Sequence, residues 1–153
     1  MNKVIELISE TQPPIDDGLI PDIRQRVQVI VQHPSEDLFL CLDQHYGVTF
    51  VWGGVEEGET FEQATYREVT EETGYTNIWN YKDLALEIHL LRKHENKEAN
   101  LQTISQMVYC RLQDLKQEDA EFSYQWVDRK DVMSILNVKV SELAWEHFIN
   151  LDM

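Results

Sequence analysis

The chain has 153 residues, 42% of them apolar and 27% charged, a length and balance that suit one folded domain with its own core. Its formal charge of −15, from 28 acidic against 13 basic residues, repels the phosphate backbone of long nucleic acids and anionic membrane surfaces. No apolar run approaches the roughly 18 residues of a membrane span, and MNKVIELISETQPP lacks the basic-then-apolar layout of a secretory signal, so the expected compartment is the cytoplasm.

Residues 1–22 hold three of the four prolines and read as an extended lead-in or edge element of a single domain over 1–153. Arg24–Gln32 alternates with period two and sets Val27, Val29 and Val31 on one face of a strand. His33–Pro34–Ser35 is a turn, and Asp37–Leu42 is a second strand that completes a hairpin. Val48–Trp52 reads as a third strand running into Gly53–Gly54. A helix is expected over Thr60–Thr73: Thr60 is a good N-cap, Gln63 completes a capping box, and Gly74 is a natural stop. Ile78–Arg92 and Gln102–Leu112 read as strands around a polar loop, and Phe122–Val127 as one more. Helices over Arg129–Leu136 and Ser141–Ile149 close the chain, the latter capped by Ser141, with Leu143, Ala144 and Phe148 facing inward. This order gives an α/β or α+β sandwich in which helices cover a mixed sheet. Cys41 and Cys110 each lie in an apolar strand-like run and read as buried thiols.

The chemistry concentrates in GGVEEGETFEQATYREVTEETGY, residues 53–75. On a helix, Glu71 lies about −60° and Glu72 about +40° from Glu68, so the three carboxylates share one arc. Like charges at i,i+3 and i,i+4 destabilise an isolated helix by about 0.2–0.5 kcal/mol each. Arg67 is the one cation between residues 53 and 75, and a hard divalent cation held by carboxylate oxygens would offset the repulsion. A charge run is usually a solvated face, but Gly53, Gly54 and Gly58 bracket the turn into this helix, where bare amides suit phosphate or metal.

The segment resembles the Nudix box, G-x5-E-x7-R-E-U-x-E-E-x-G-U with U a bulky apolar residue. The pattern falls on Gly53, Glu59, Arg67, Glu68, Val69, Glu71, Glu72, Gly74 and Tyr75, and all seven fixed identities match. A chance match at one starting point is on the order of one in 10⁸ or rarer. Tyr75, where an aliphatic residue is usual, is the one departure. The resemblance implies a Nudix-like α/β/α sandwich with a mixed sheet and a Mg²⁺- or Mn²⁺-dependent hydrolase of diphosphate linkages. It implies metal ligation by Glu68, Glu71 and Glu72 with the Gly53 carbonyl, and orienting roles for Arg67 and Glu59. The general base is left open between a helix glutamate and an acid of the 114–121 loop: Asp114, Glu118, Asp119 or Glu121, with Glu118 and Glu121 preferred.

Substrate choice is less legible. No proline follows Pro34, so the proline markers of the ADP-ribose and NADH types are missing, and Tyr81 lies too close to the box for the diadenosine polyphosphate type. Candidate contacts are Trp52, Tyr46 and Trp126 for stacking, with His89, Arg92 and His94 for anions, against the bland alternative of core aromatics and a solvated basic loop. The expected partner is a small diphosphate substrate rather than long nucleic acid or membrane, and the oligomeric state is open, a homodimer included. A nucleotide-sensing module with a degenerate box is the main rival, disfavoured because Glu68, Glu71 and Glu72 are all present. A calcium-binding loop is disfavoured because the D-x-D-x-D-G pattern is missing.

Overall fold

The period-two alternation of β2 (Asp22–Gln32) sets two different surfaces on the sheet it belongs to. Val27, Val29 and Val31 enter one core cluster, and Ile30 enters the other. The computed structural model describes residues 2–8, 20–93 and 100–151. Among them the remaining elements are β1 (Lys3–Ile8), β3 (Leu38–Gln44), β4 (Gly47–Thr49), β5 (Val51–Gly54), α1 (Phe61–Thr73), β6 (Ile78–Lys93), β7 (Asn100–Leu112), β8 (Tyr124–Asp128), a 3-10 turn (Arg129–Asp131), α2 (Val132–Ile135) and α3 (Lys139–Ile149). The strands form one mixed sheet in the order β1-β6-β7-β2-β3-β4, with β5 also on β2 and β8 also on β3. The pairs β1–β6 and β2–β7 are parallel and the others antiparallel.

Helices cover both sides of this sheet, as the expected sandwich requires. The α1 side packs Ala64 and Val69 on Val27, Val29, Leu40, Val108 and Cys110. The other side packs Trp145 and Phe148 of α3 on Phe39, Met107 and Tyr109; the Phe39 and Trp145 rings meet edge-on at 4.9 Å. Both thiols are free and buried. Burial pushes Cys41 up to about 12 and raises Cys110 further, which makes both inert fillers at neutral pH. Among the described residues no helix is long and apolar enough to cross a membrane.

Several expectations change in detail. β1 is the edge strand expected of the lead-in, while residues 9–19 lie outside the described residues. The strand expected over Val48–Trp52 is two strands with different partners, β4 on β3 and β5 on β2. Between them Phe50 turns into the α3-side core. The helix expected over Arg129–Leu136 opens as a 3-10 turn and is regular only in α2. Ser141 does not cap α3: the helix starts at Lys139 with Val138 at the N-cap, which makes no side-chain cap bond. Ser141 is instead fully buried against the sheet.

Candidate active site

The local signals of α1 place the acidic cluster. Thr60 Oγ1 accepts the Gln63 N–H at 3.1 Å, Gln63 Oε1 accepts the Thr60 N–H at 2.9 Å, and Gly74 ends the helix at φ +81°. Gly74 also has no room for a side chain, because the Glu118 backbone crosses where a Cβ would stand. Helix α1 lies beside β5, and the Glu68 carboxylate packs directly on the Gly53 Cα. Any larger residue at 53 would displace that carboxylate.

Arg67 organises the charges. Its guanidinium forks onto Glu59 with Nε and Nη2 both at 2.8 Å, while Nη2 also donates to the Gly54 carbonyl at 2.8 Å. Nη1 donates to Glu68 at 2.8 Å and Glu71 at 3.3 Å. One cation thus ties the 54–59 loop to the helix through charge-assisted bonds. The Arg67 fork holds the Glu59 carboxyl down at about 2 and raises Arg67 itself, so both stay charged. Glu68 is shifted the other way: burial raises it, against the pull of Arg67.

Glu72 differs from all of these. It is 5% exposed, and Oε2 is buried without a hydrogen-bond partner among the described residues. Burial, followed by the charge of Glu68, pushes its carboxyl up to about 8, with the Trp52 backbone pulling weakly the other way. Leaving such an atom unmet costs about 1–3 kcal/mol or more. Among the described residues no three His, Cys, Asp or Glu side chains form a ready-made cation cage, and Arg67 bonds to both Glu68 and Glu71. The donor set still fits a hard divalent cation: a buried oxygen without a partner on Glu72, a carboxylate seated on Gly53, and the more exposed Glu71 one turn away.

On the other side of β5 a cleft of about 460 Å³ opens between the sheet and the start of α3. Trp52, Tyr46 and Arg92 of the sequence-derived candidates line it. It also contains residues not among the expected substrate contacts: Arg26, Gln28, Thr103, Ser105 and, from α3, Ser141, expected only as a helix cap. Arg26 stacks on Trp52 at 4.4 Å, and burial and then the nearby Arg92 lower its pKa. Arg26 and Gln28 were readable in principle, because they occupy the strand face opposite Val27 and Val29.

Other candidates lie elsewhere. His89 alternates with the cleft-facing Leu90 and Arg92, and its Nε2 sits 3.3 Å from Glu87, so the strand pleat turns it away. Trp126 belongs to the α1 side, where it packs on His33 at 5.1 Å and Tyr75 at 6.0 Å. Glu118 and Glu121 are absent from the cleft lining; their backbone amides bond the carbonyls of Gly74 and Glu72, and the Glu121 charge is felt at Glu72. His94 lies outside the described residues.

Known proteins share this fold. An RNA pyrophosphohydrolase of Caulobacter vibrioides is 37% identical over 62 residues, which span 38% of this chain and only 36% of that protein. The E. coli dihydroneopterin triphosphate pyrophosphohydrolase superposes with a TM-score of 0.69 at 22% identity, over 83% of this chain and 96% of its own. The MutT protein of Bacillus halodurans superposes at 0.62 with 19% identity, over 84% of each chain. These likenesses establish the fold. The NUDIX domain model matches residues 22–145, from the first residue of β2 into α3. The chain therefore belongs to the Nudix hydrolase family.

Proposed function

We propose that the protein is a divalent-metal-dependent pyrophosphohydrolase that cleaves a diphosphate linkage in a small, nucleotide-like substrate by attack of water at phosphorus. The observation that carries this reading is Glu72, a buried carboxylate with an oxygen that no group among the described residues satisfies, one turn from Glu68 on the helix bearing the family motif. Glu68, Glu71 and Glu72 would hold Mg²⁺ or Mn²⁺, which when bound neutralises phosphate oxygens and the departing phosphate. Arg67 does not touch substrate in this scheme: it fixes the 54–59 loop and two of the carboxylates in one arrangement. Glu121 lies close enough to be felt at Glu72 and is the loop acid best placed to take the proton of an attacking water. The non-phosphate half of the substrate would enter the cleft, against Trp52 and Tyr46, with Arg26 and Arg92 near its anionic part.

A small substrate suits the −15 charge better than a polymer does, and the cleft brings two arginines, Arg26 and Arg92, together. The test is phosphate or pyrophosphate release from nucleoside triphosphates, nucleotide sugars, dinucleotides and a 5′-triphosphorylated RNA, each with Mg²⁺ and with EDTA. Turnover of a small member with Mg²⁺ and none in EDTA is expected. Full turnover in EDTA would overturn the metal requirement, and RNA ends as the preferred member would overturn the small-substrate part.

A further inference from the structure

The floor of the cleft contains a polar pair that the hydrolytic chemistry does not use. Gln28 is 6% exposed and Ser141 is fully buried, and Ser141 Oγ lies 2.6 Å from Gln28 Oε1. That separation is short for N–H···O, normally about 2.7–3.2 Å, and ordinary for O–H···O. The serine hydroxyl therefore donates and the amide oxygen accepts. Ser141 Oγ in turn accepts the Phe50 N–H at 3.4 Å, which leaves its single proton committed to Gln28. The amide is fixed with Oε1 toward α3 and its NH₂ toward the cleft that Gln28 lines. The bond to Ser141 uses the oxygen and does not engage that NH₂. It is a nearly buried donor held in one orientation, and a ligand acceptor would satisfy it.

The surrounding groups describe the rest of the ligand. Trp52 and Tyr46 offer flat walls, and Leu90 and Val140 offer apolar ones, which suits a planar ring. Thr103 and Ser105 carry hydroxyls that either donate or accept, so they do not discriminate by polarity. Gln28 does discriminate. An exocyclic oxo group facing it accepts its N–H, whereas an amino group would set donor against donor and leave both unmet.

We propose that the cleft selects planar heterocycles bearing an exocyclic oxo group, with Gln28 Nε2 donating to that oxygen, so that oxo bases are taken in preference to their amino counterparts. This rests on the reading of the cleft as the seat of the substrate's non-phosphate half.

Two matched pairs of ligands isolate the effect: inosine against adenosine 5′-monophosphate, and uridine against cytidine 5′-monophosphate. Titration calorimetry in EDTA keeps metal and hydrolysis out of the measurement. The oxo member should bind at least about 10-fold more tightly in one or both pairs, the scale of one hydrogen bond to a desolvated donor. Gln28→Glu replaces the donor with an acceptor and should erase or reverse the ratio. Ser141→Ala leaves the amide free to turn and should bring the ratio toward one; it serves as the deciding variant if melting shows that the buried charge of Gln28→Glu prevents folding. Equal binding within both pairs, no binding of any of the four, or a ratio unchanged in the folded variants would overturn the proposal. Hydrolysis in the substrate panel is read separately, so its failure would remove the reaction while leaving this ratio standing.

Discussion

Glu72 and Gln28 are both buried polar side chains, on opposite sides of the sheet: the first has an oxygen without a partner among the described residues, and the second has its oxygen bonded to Ser141. The carboxylate stands on α1, is crowded by Glu68, and is raised to about 8 by burial. The amide is neutral, is half satisfied by Ser141, and faces a cleft that contains Arg26 and Arg92. An unmet buried charge is far costlier than an unmet amide N–H, so the two sites call for different partners. The first needs a cation, and the second needs only an acceptor on a ring. On the proposed reading, reaction and discrimination are divided between two surfaces joined by β5, whose Gly53 seats Glu68 and whose Trp52 lines the cleft.

The largest effect should come from the charged side. Glu72→Gln keeps the shape and should lower turnover by at least about 100-fold, as expected when a metal ligand or proton-transfer group is lost. A loss below about threefold in a steady-state assay would return Glu72 to the role of a strained structural residue. Arg67→Ala should come next. It leaves Glu59 and Glu68, each little exposed, without their shared cation and should lower unfolding stability by about 2–4 kcal/mol in urea titrations. An unchanged urea midpoint would mean that the fork is ornamental.

Why these positions were legible is a matter of range. The Thr60–Gln63 box, the Gly74 stop and the spacing of Glu68, Glu71 and Glu72 all act within one or two helical turns, so the chain order itself displays them. The burial of Glu72 is not local. Its i,i+4 spacing with Glu68 suggests tenths of a kcal/mol, and only packing against β5 makes the carboxylate costly. The cleft floor depends on contacts 113 positions apart, between Gln28 and Ser141, and a helix-start serine looks locally like a cap. The division of Val48–Trp52 into two strands follows from a change of partner that an apolar run cannot reveal. His89 and Trp126 fit the bland alternative for one reason: residue type allows a contact, and the face of the strand sets both away from the cleft.

A pH titration sharpens the contrast further. The Glu72 carboxyl sits near 8 when folded and metal-free, above its ordinary value of 4.5, so the folded chain binds more protons than the unfolded chain between these limits. Its contribution is fully present below about pH 4.5 and is lost as pH rises toward 8. Wild type in EDTA should thus lose about 1–3 kcal/mol relative to Glu72→Gln across that window. Parallel stability profiles for the two proteins would refute the burial cost. The smallest effect should come from the cleft mouth: Arg92→Ala should raise KM about 3–10-fold with little change in kcat. Unchanged constants would place Arg92 outside substrate contact.

The most direct test of the central claim, that the unmatched Glu72 oxygen is reserved for a divalent cation, is a set of four melting curves: wild type and Glu72→Gln, each with Mg²⁺ and with EDTA, at pH 8. In EDTA the variant should melt higher, because it no longer buries an unmet carboxylate. With Mg²⁺ wild type should gain the larger stabilisation and close or invert that gap, since only the native wild-type site binds the ion through all its carboxylates. Equal shifts in both proteins on adding Mg²⁺, with wild type the more stable throughout, would contradict it.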